Sequence, residues 1–292
     1  MQYNAMQRAM ASGYRIFEVL DIPVTIRDPK KPLDCPLDGS IKFDNVSFAY
    51  VDKTYILKDF NLSIENGERI GIVGPTGAGK STISNLIHRF YDTNKGKVIL
   101  GGVEIKKFSQ EYIGKKVGMV LQDPFLFSGT ILDNIKYGNK DIPQKEVEKA
   151  TELLGLNEFI NSLDNGYSTV IGQRGSDLSM GQRQLLSILR ALVADTQYLI
   201  LDEATSSIDS YTEKKIQNAL DILLKDRTSI TIAHRLATVR KCDRIIVLNA
   251  GEIEEIGSHQ KLLKNKGLYS NCLLYTSDAA DDSLRVDLGG RR

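Results

Sequence analysis

The eight residues Gly74-Pro-Thr-Gly-Ala-Gly79-Lys80-Ser81 constrain this chain more than any other stretch. They fit the pattern G-x-x-x-x-G-K-[S/T]. A β-branched run, Arg69–Val73, leads in and a helical pattern, Thr82–Phe90, leads out, so the unit reads strand, glycine loop, helix. Glycines let a backbone wrap tightly round a polyphosphate with its N–H groups pointing inward, and the following helix aims about half a positive charge at the same place. Lys80 can reach β- and γ-phosphates, and the Ser81 hydroxyl can hold Mg²⁺. Gly74, Pro75, Thr76, Gly77, Ala78, Gly79, Lys80, Ser81 and Thr82 are therefore the candidate phosphate-binding residues.

Around this loop, strand-like runs alternate with helical stretches. Ile41–Tyr50, Leu62–Ile64, Lys97–Leu100 and Val117–Leu121 read as strands, and so, more strongly apolar, do Tyr198–Leu201, Thr228–Ala233 and Arg244–Leu248. Residues 144–195 read as largely helical. Apolar runs bounded by polar turns and separated by helices predict an α/β sheet covered on both faces. With 292 residues, 41% hydrophobic and 26% charged, the chain can bury such a core, and neither wholesale disorder nor a collagen or disulfide scaffold describes it. The net charge of +1 gives no electrostatic case for a nucleic-acid partner. Cys35, Cys242 and Cys272 are scattered, with no C-x-x-C spacing, which fits a reducing setting. No apolar run approaches the roughly 18 residues needed to cross a bilayer.

The two ends read differently from the middle. Met6, Ala9, Met10, Tyr14, Phe17 and Leu20 recur at three- and four-residue steps, which predicts an amphipathic helix over residues 1–20. Such a helix either packs on its own domain or forms the cytosolic end of a longer one. Pro23, Pro29, Pro32 and Pro36 make residues 21–38 an extended linker, with the folded domain expected to begin near Ser40. After Asn271 no period is visible. The tail CLLYTSDAADDSLRVDLGGRR resembles the translated read-through of a sequencing-library adapter, so residues 272–292 are set aside as non-native; the alternative is a disordered natural tail.

A second chemical feature is Tyr198-Leu-Ile-Leu-Asp202-Glu203, four apolar residues followed by two carboxylates. A buried strand would deliver Asp202 at its C-terminal end, where α/β sheets place ligands and where Asp202 can serve Mg²⁺. Glu203, one residue on, points elsewhere and can polarise an attacking water as general base.

These two features fit many nucleotide hydrolases. Leu178-Ser-Met-Gly-Gln182-Arg-Gln184 narrows the choice, since it resembles the LSGGQ signature of ABC-type ATPases with methionine at the third position. Other elements of that family follow in order: Tyr50 resembles the aromatic that stacks on adenine, Gln122 the glutamine that reads Mg²⁺ and the γ-phosphate, Ser206-Ser-Ile-Asp209 the D-loop, and His234 the switch histidine. Gln173-Arg-Gly175 and Arg15–Leu20 resemble the X-loop and linker of exporter-type ABC proteins. The resemblance covers about residues 40–271. It implies a P-loop NTPase core of mixed or parallel sheet with flanking helices, an antiparallel β subdomain and a helical signature subdomain at about 123–195, within an ATPase domain at 39–271 preceded by a helix and linker from a transmembrane domain at 1–38. It implies Glu203, His234, Gln122 and Lys80 as catalytic residues, and Ser81, Gln122 and Asp202 around Mg²⁺. Tyr50, the loop residues above, Ser179, Gly181, Gln182 and Asp209 would hold ATP.

In that family ATP lies between one chain's glycine loop and the other's signature, in a head-to-tail dimer that drives export. The expected setting is the cytoplasmic face of a bacterial-type plasma membrane, with no nucleic acid involved. Here Glu203 and His234 are intact while Met180 replaces a glycine, a combination that favours one half of a heterodimer over a homodimer. The rivals are a separately encoded ABC ATPase subunit, against which the Arg15–Leu20 linker argues, a non-transport ABC-type ATPase, and a pure binding module, against which Glu203 argues.

Overall fold

The computed structural model describes residues 2–51, 54–121, 123–139, 141–202, 208–232, 236–265 and 267–270. The chain opens with helix α1, Gln2–Leu20. Its large apolar residues, Met6, Met10, Tyr14, Phe17 and Leu20 among them, are all exposed, so packing on its own domain is not what the structure adopts. Strands β1 (Ile41–Phe48) and β2 (Leu57–Ile64) follow, then β3 (Arg69–Val73), helix α2 (Lys80–Ile87), and strands β4 (Lys95–Leu100) and β5 (Val103–Glu104). Helix α3 (Gln110–Lys116) leads directly into β6 (Val117–Val120). Next come β7 (Gly129–Thr130), α4 (Ile131–Ile135), α5 (Gln144–Leu153), α6 (Asn157–Asn161) and β8 (Val170–Ile171). The remainder is α7 (Met180–Val193), β9 (Tyr198–Asp202), α8 (Ser210–Leu223), β10 (Thr228–Ile232), α9 (Leu236–Val239), β11 (Arg244–Asn249), β12 (Glu252–Gly257) and α10 (His259–Asn265).

Two sheets carry the fold. The larger has the order β12-β11-β3-β10-β9-β6 and is parallel except for β12. All five residues of β10 are buried, as expected of a strand covered on both faces. The smaller sheet, β2-β1-β4-β5, is antiparallel. Its first two strands are bulged where Asn45 and Asp59 take left-handed backbone angles, φ 48 and 43. One core fills the space between the sheets and α2, with Phe43 and Phe60 edge to face at 5.2 Å. A second joins α4–α6 to α7, α8 and the far strands of the large sheet.

Several elements differ from the periodicity. Strand β2 is longer than Leu62–Ile64, because Lys58, Asp59 and Asn61 lie on its exposed side and mask the alternation. Helix α2 begins at Lys80 rather than Thr82 and ends before Phe90, which is exposed. The stretch 144–195 is broken between α6 and α7 by 3₁₀ turns and β8, and one of those turns puts Arg174 at φ 58.

Residues 21–40 contain no helix or strand, and from Arg27 on they are strapped to the domain. Gln110 N donates to Asp28 Oδ1 at 2.8 Å, Leu33 N to Lys107 O at 2.9 Å, Gln197 Nε2 to Leu37 O at 3.0 Å and Thr228 Oγ1 to Gly39 O at 2.6 Å. The fixed end of the strap is Arg89. This buried guanidinium donates to the Arg27 carbonyl at 3.0 Å, to the Phe108 carbonyl at 3.0 Å and to Asp92 at 3.1 Å.

Candidate nucleotide site

Strand β3 ends at Val73 and the chain turns at Gly74 with φ 152. A Cβ built there would stand 2.1 Å from the Leu248 carbonyl oxygen of β11, so only glycine lets the loop leave the sheet this closely. Gly77 and Gly79 have φ 82 and 101, and Gly79 caps α2. Lys80, the first residue of α2, is buried. Its Nζ donates to the carbonyls of Gly74 at 2.8 Å and Pro75 at 2.9 Å, which fixes the ammonium inside the loop. Burial pulls the Lys80 pKa below its ordinary value, and the negative charge of Asp202 acts in the opposite direction.

Asp202 arrives as the last residue of β9, level with Ile232 on β10. Both line a cleft of about 430 Å³ together with Thr76, Gly77, Gly79, Lys80, Ser81, Thr82 and, at the other end, Tyr50 and Ile56. The structure thus brings one expected set together: Tyr50, the loop Gly74–Thr82 and Asp202. The Tyr50 phenol meets Asn85 Nδ2 at 3.0 Å and Thr82 Oγ1 at 3.3 Å. A hydroxyl, a carboxylate and an ammonium in one cleft suit a polyphosphate carrying a hard cation. The oxygen donors of Ser81 and Asp202 are of the kind Mg²⁺ takes, few in number and completed by phosphate and water. Among the described residues no cluster of three or more His, Cys, Asp or Glu could form an all-protein metal cage.

The signature residues form a second cluster that does not line this cleft. Ser179 caps α7 in a reciprocal box: Gln182 N donates to Ser179 Oγ at 3.2 Å and Ser179 N to Gln182 Oε1 at 2.8 Å. Gly181 presses on α8, where an added Cβ would sit 2.3 Å from Thr212 Cγ2. Asp209 caps α8 by accepting from Thr212 N at 2.9 Å, and that bond lowers its carboxyl pKa. Met180 Sδ receives Arg183 Nη2 at 3.6 Å, and a second nitrogen of Arg183 donates to the Leu178 carbonyl at 2.7 Å. Gln122, Glu203, Ser206 and His234 lie outside the described residues. Asn85 and Ile56 touch the site without having been singled out, because nothing in their spacing distinguishes them from ordinary helix and strand positions.

Comparison with known proteins decides the family. The profile described as ABC transporter matches residues 57–206, half of the chain. The chain belongs to the ABC transporter family. An ABC transporter ATP-binding protein of Bacillus subtilis, YfiC, is 47% identical over 277 residues, covering 94% of this chain and 46% of the relative. The fatty acid ABC transporter ATP-binding/permease protein of Mycobacterium bovis is 44% identical, covering 91% of this chain and 42% of its own length. The ATP-dependent lipid A-core flippase of Syntrophus aciditrophicus is 42% identical, at 91% and 44%. In three dimensions the chain matches a bacterial Atm1-family ABC exporter with ATP bound, at TM-score 0.82 and 37% identity, over 94% of this chain and 48% of that one. This ABC domain therefore spans about half the length of the relatives it matches, and none of its described helices is long and apolar enough to cross a membrane.

Proposed function

We propose that this domain binds Mg-ATP between its own glycine loop and the signature turn of a second ABC half, and hydrolyses it to drive export through a transmembrane part. The observation that carries this is the separation within one chain: the cradle, Lys80 and Asp202 share a cleft, while Ser179, Gly181 and Gln182 open α7 elsewhere. A second molecule, placed head to tail, supplies the missing wall. When bound, Mg²⁺ would be held by Ser81, Asp202 and Gln122 and would supply charge neutralisation to the phosphates. Lys80 and the loop N–H groups stabilise charge developing on the γ-phosphoryl oxygens. Glu203 orients the water and accepts its proton, and His234 holds the γ-phosphate. Met180 adds bulk where glycine permits close approach, which supports a partner half with an unaltered signature. Residues 108–135, with Gln122, pass the motion on. Beside α4 a groove of about 780 Å³, where Phe127 and Tyr137 stack at 4.2 Å, is the surface we assign to that contact on the cytoplasmic side of the membrane.

The test is phosphate release with and without Mg²⁺, alone and mixed with a second ABC half. Glu203→Gln should bind ATP, stop turnover and accumulate a closed dimer on size exclusion, whereas Lys80→Ala should lose ATP binding. Undiminished turnover in Glu203→Gln removes Glu203 from this role. Full activity of this chain alone removes the heterodimer.

A further inference from the structure

Tyr50 is held from three sides. Phe48 lies 4.8 Å from it at 86°, Tyr91 lies 4.9 Å from it at 85°, and Phe48 and Tyr91 touch each other at 5.6 Å. Two rings that meet each other as well as Tyr50 stand on the same side of it, which leaves its other side to the cleft that it lines. At the tip, the phenol oxygen accepts from Asn85 Nδ2 and shares a hydrogen bond with the Thr82 hydroxyl, in which either group can donate. Thr82 and Asn85 are one turn apart on the same face of α2. At the base, the strand end carrying Tyr50 is tied to the turn carrying Tyr91: Ala49 N donates to Asn94 Oδ1 at 2.8 Å, and Asn94 N donates to Ser47 O at 3.1 Å.

A half-exposed tyrosine on a loop ordinarily samples several side-chain rotamers, and a base that stacks on it has to select one. A ring already held in one plane removes that cost from binding. We propose that Tyr91 is a positioning residue for nucleotide binding: with Asn85 at the tip, it fixes the plane in which Tyr50 receives the purine. The inference rests on the reading above in which Tyr50 stacks on the base. Tyr91 does not line the cleft and acts through its ring, since its edge-to-face contact with Tyr50 and its tilted contact with Phe48 need no hydroxyl.

The experiment is isothermal titration of the full chain with Mg-ATP and with magnesium tripolyphosphate, which carries the charge but no base. Tyr91→Ala is expected to weaken ATP about three- to tenfold and to leave tripolyphosphate unchanged. Tyr91→Phe is expected to bind ATP as the parent does, and Tyr91→Ala is expected to add nothing in a Tyr50→Ala background. If Tyr50→Ala weakens ATP and Tyr91→Ala does not, the positioning role is overturned while stacking stands. Equal loss of both ligands in Tyr91→Ala means damage to the phosphate loop and overturns it as well. Unchanged ATP affinity in Tyr50→Ala removes the stacking reading, and this inference with it.

Discussion

At the scale of single residues, His88 shows what spacing alone conceals. It follows α2, is buried and stacks on Phe90 at 5.2 Å; Nδ1 meets the Ser84 carbonyl at 3.1 Å, so that nitrogen carries the proton. Nε2 has no hydrogen-bond partner among the described residues. Burial, the dominant influence, lowers the His88 pKa below its ordinary 6.5. The folded state therefore resists a proton that the unfolded chain accepts, so stability falls as pH drops from about 6.5 towards the folded value. Denaturant midpoints at pH 8 and pH 5.5 should show a smaller acid-side loss in His88→Phe than in the parent; an equal loss would place the acid sensitivity elsewhere. The phosphate loop was legible because glycine pattern and function are both local, and Gly74 shows why: its backbone angle and its distance from Leu248 admit one residue type. His88, Asn85 and Tyr91 were not legible, because burial and ring contacts are made by parts of the chain far from the residue that displays them.

At the scale of elements, strands β9 and β11 announce themselves as apolar runs because both faces of the parallel sheet are covered, by the antiparallel sheet and α2 on one side and by helices such as α7 and α8 on the other, whereas β10, Thr228-Ser-Ile-Thr-Ile232, is as deeply buried with three hydroxyls. Strand β12 does not announce itself, since Glu252-Ile-Glu-Glu-Ile-Gly257 breaks the alternation with a second glutamate, as an edge strand half open to water allows. Helix α8 has a readable face, Ile216, Ala219, Leu220 and Leu223, and an Asp209 cap, yet its depth against α7 is visible only in three dimensions. The contact of Gly181 with Thr212 sets that depth. Gly181→Ala should push the two helices apart and cost about 1–3 kcal/mol in urea unfolding. Thr212→Ser keeps the backbone donor to Asp209 but removes the clashing methyl, and should restore most of the loss when combined with Gly181→Ala. Additive destabilisation in the double variant would show that the glycine is needed for another reason.

At the scale of the whole molecule, α1 and the ATPase domain are unequal partners. The large apolar residues of α1 are exposed, whereas the domain from Ile41 onward has its own cores. Deleting residues 1–24 should leave the melting temperature unchanged and reduce concentration-dependent association in sedimentation; a lower melting temperature would mean that α1 packs on the domain in solution. What links the two parts is the strap that begins at Arg27, and its Arg89 anchor has a mechanical consequence. Helix α2 is a rod of about 12 Å whose first residue, Lys80, sits in the phosphate loop and whose far end runs into the guanidinium that grips Arg27. A torque delivered through the strap therefore reaches the cradle by way of Arg89 and this short helix.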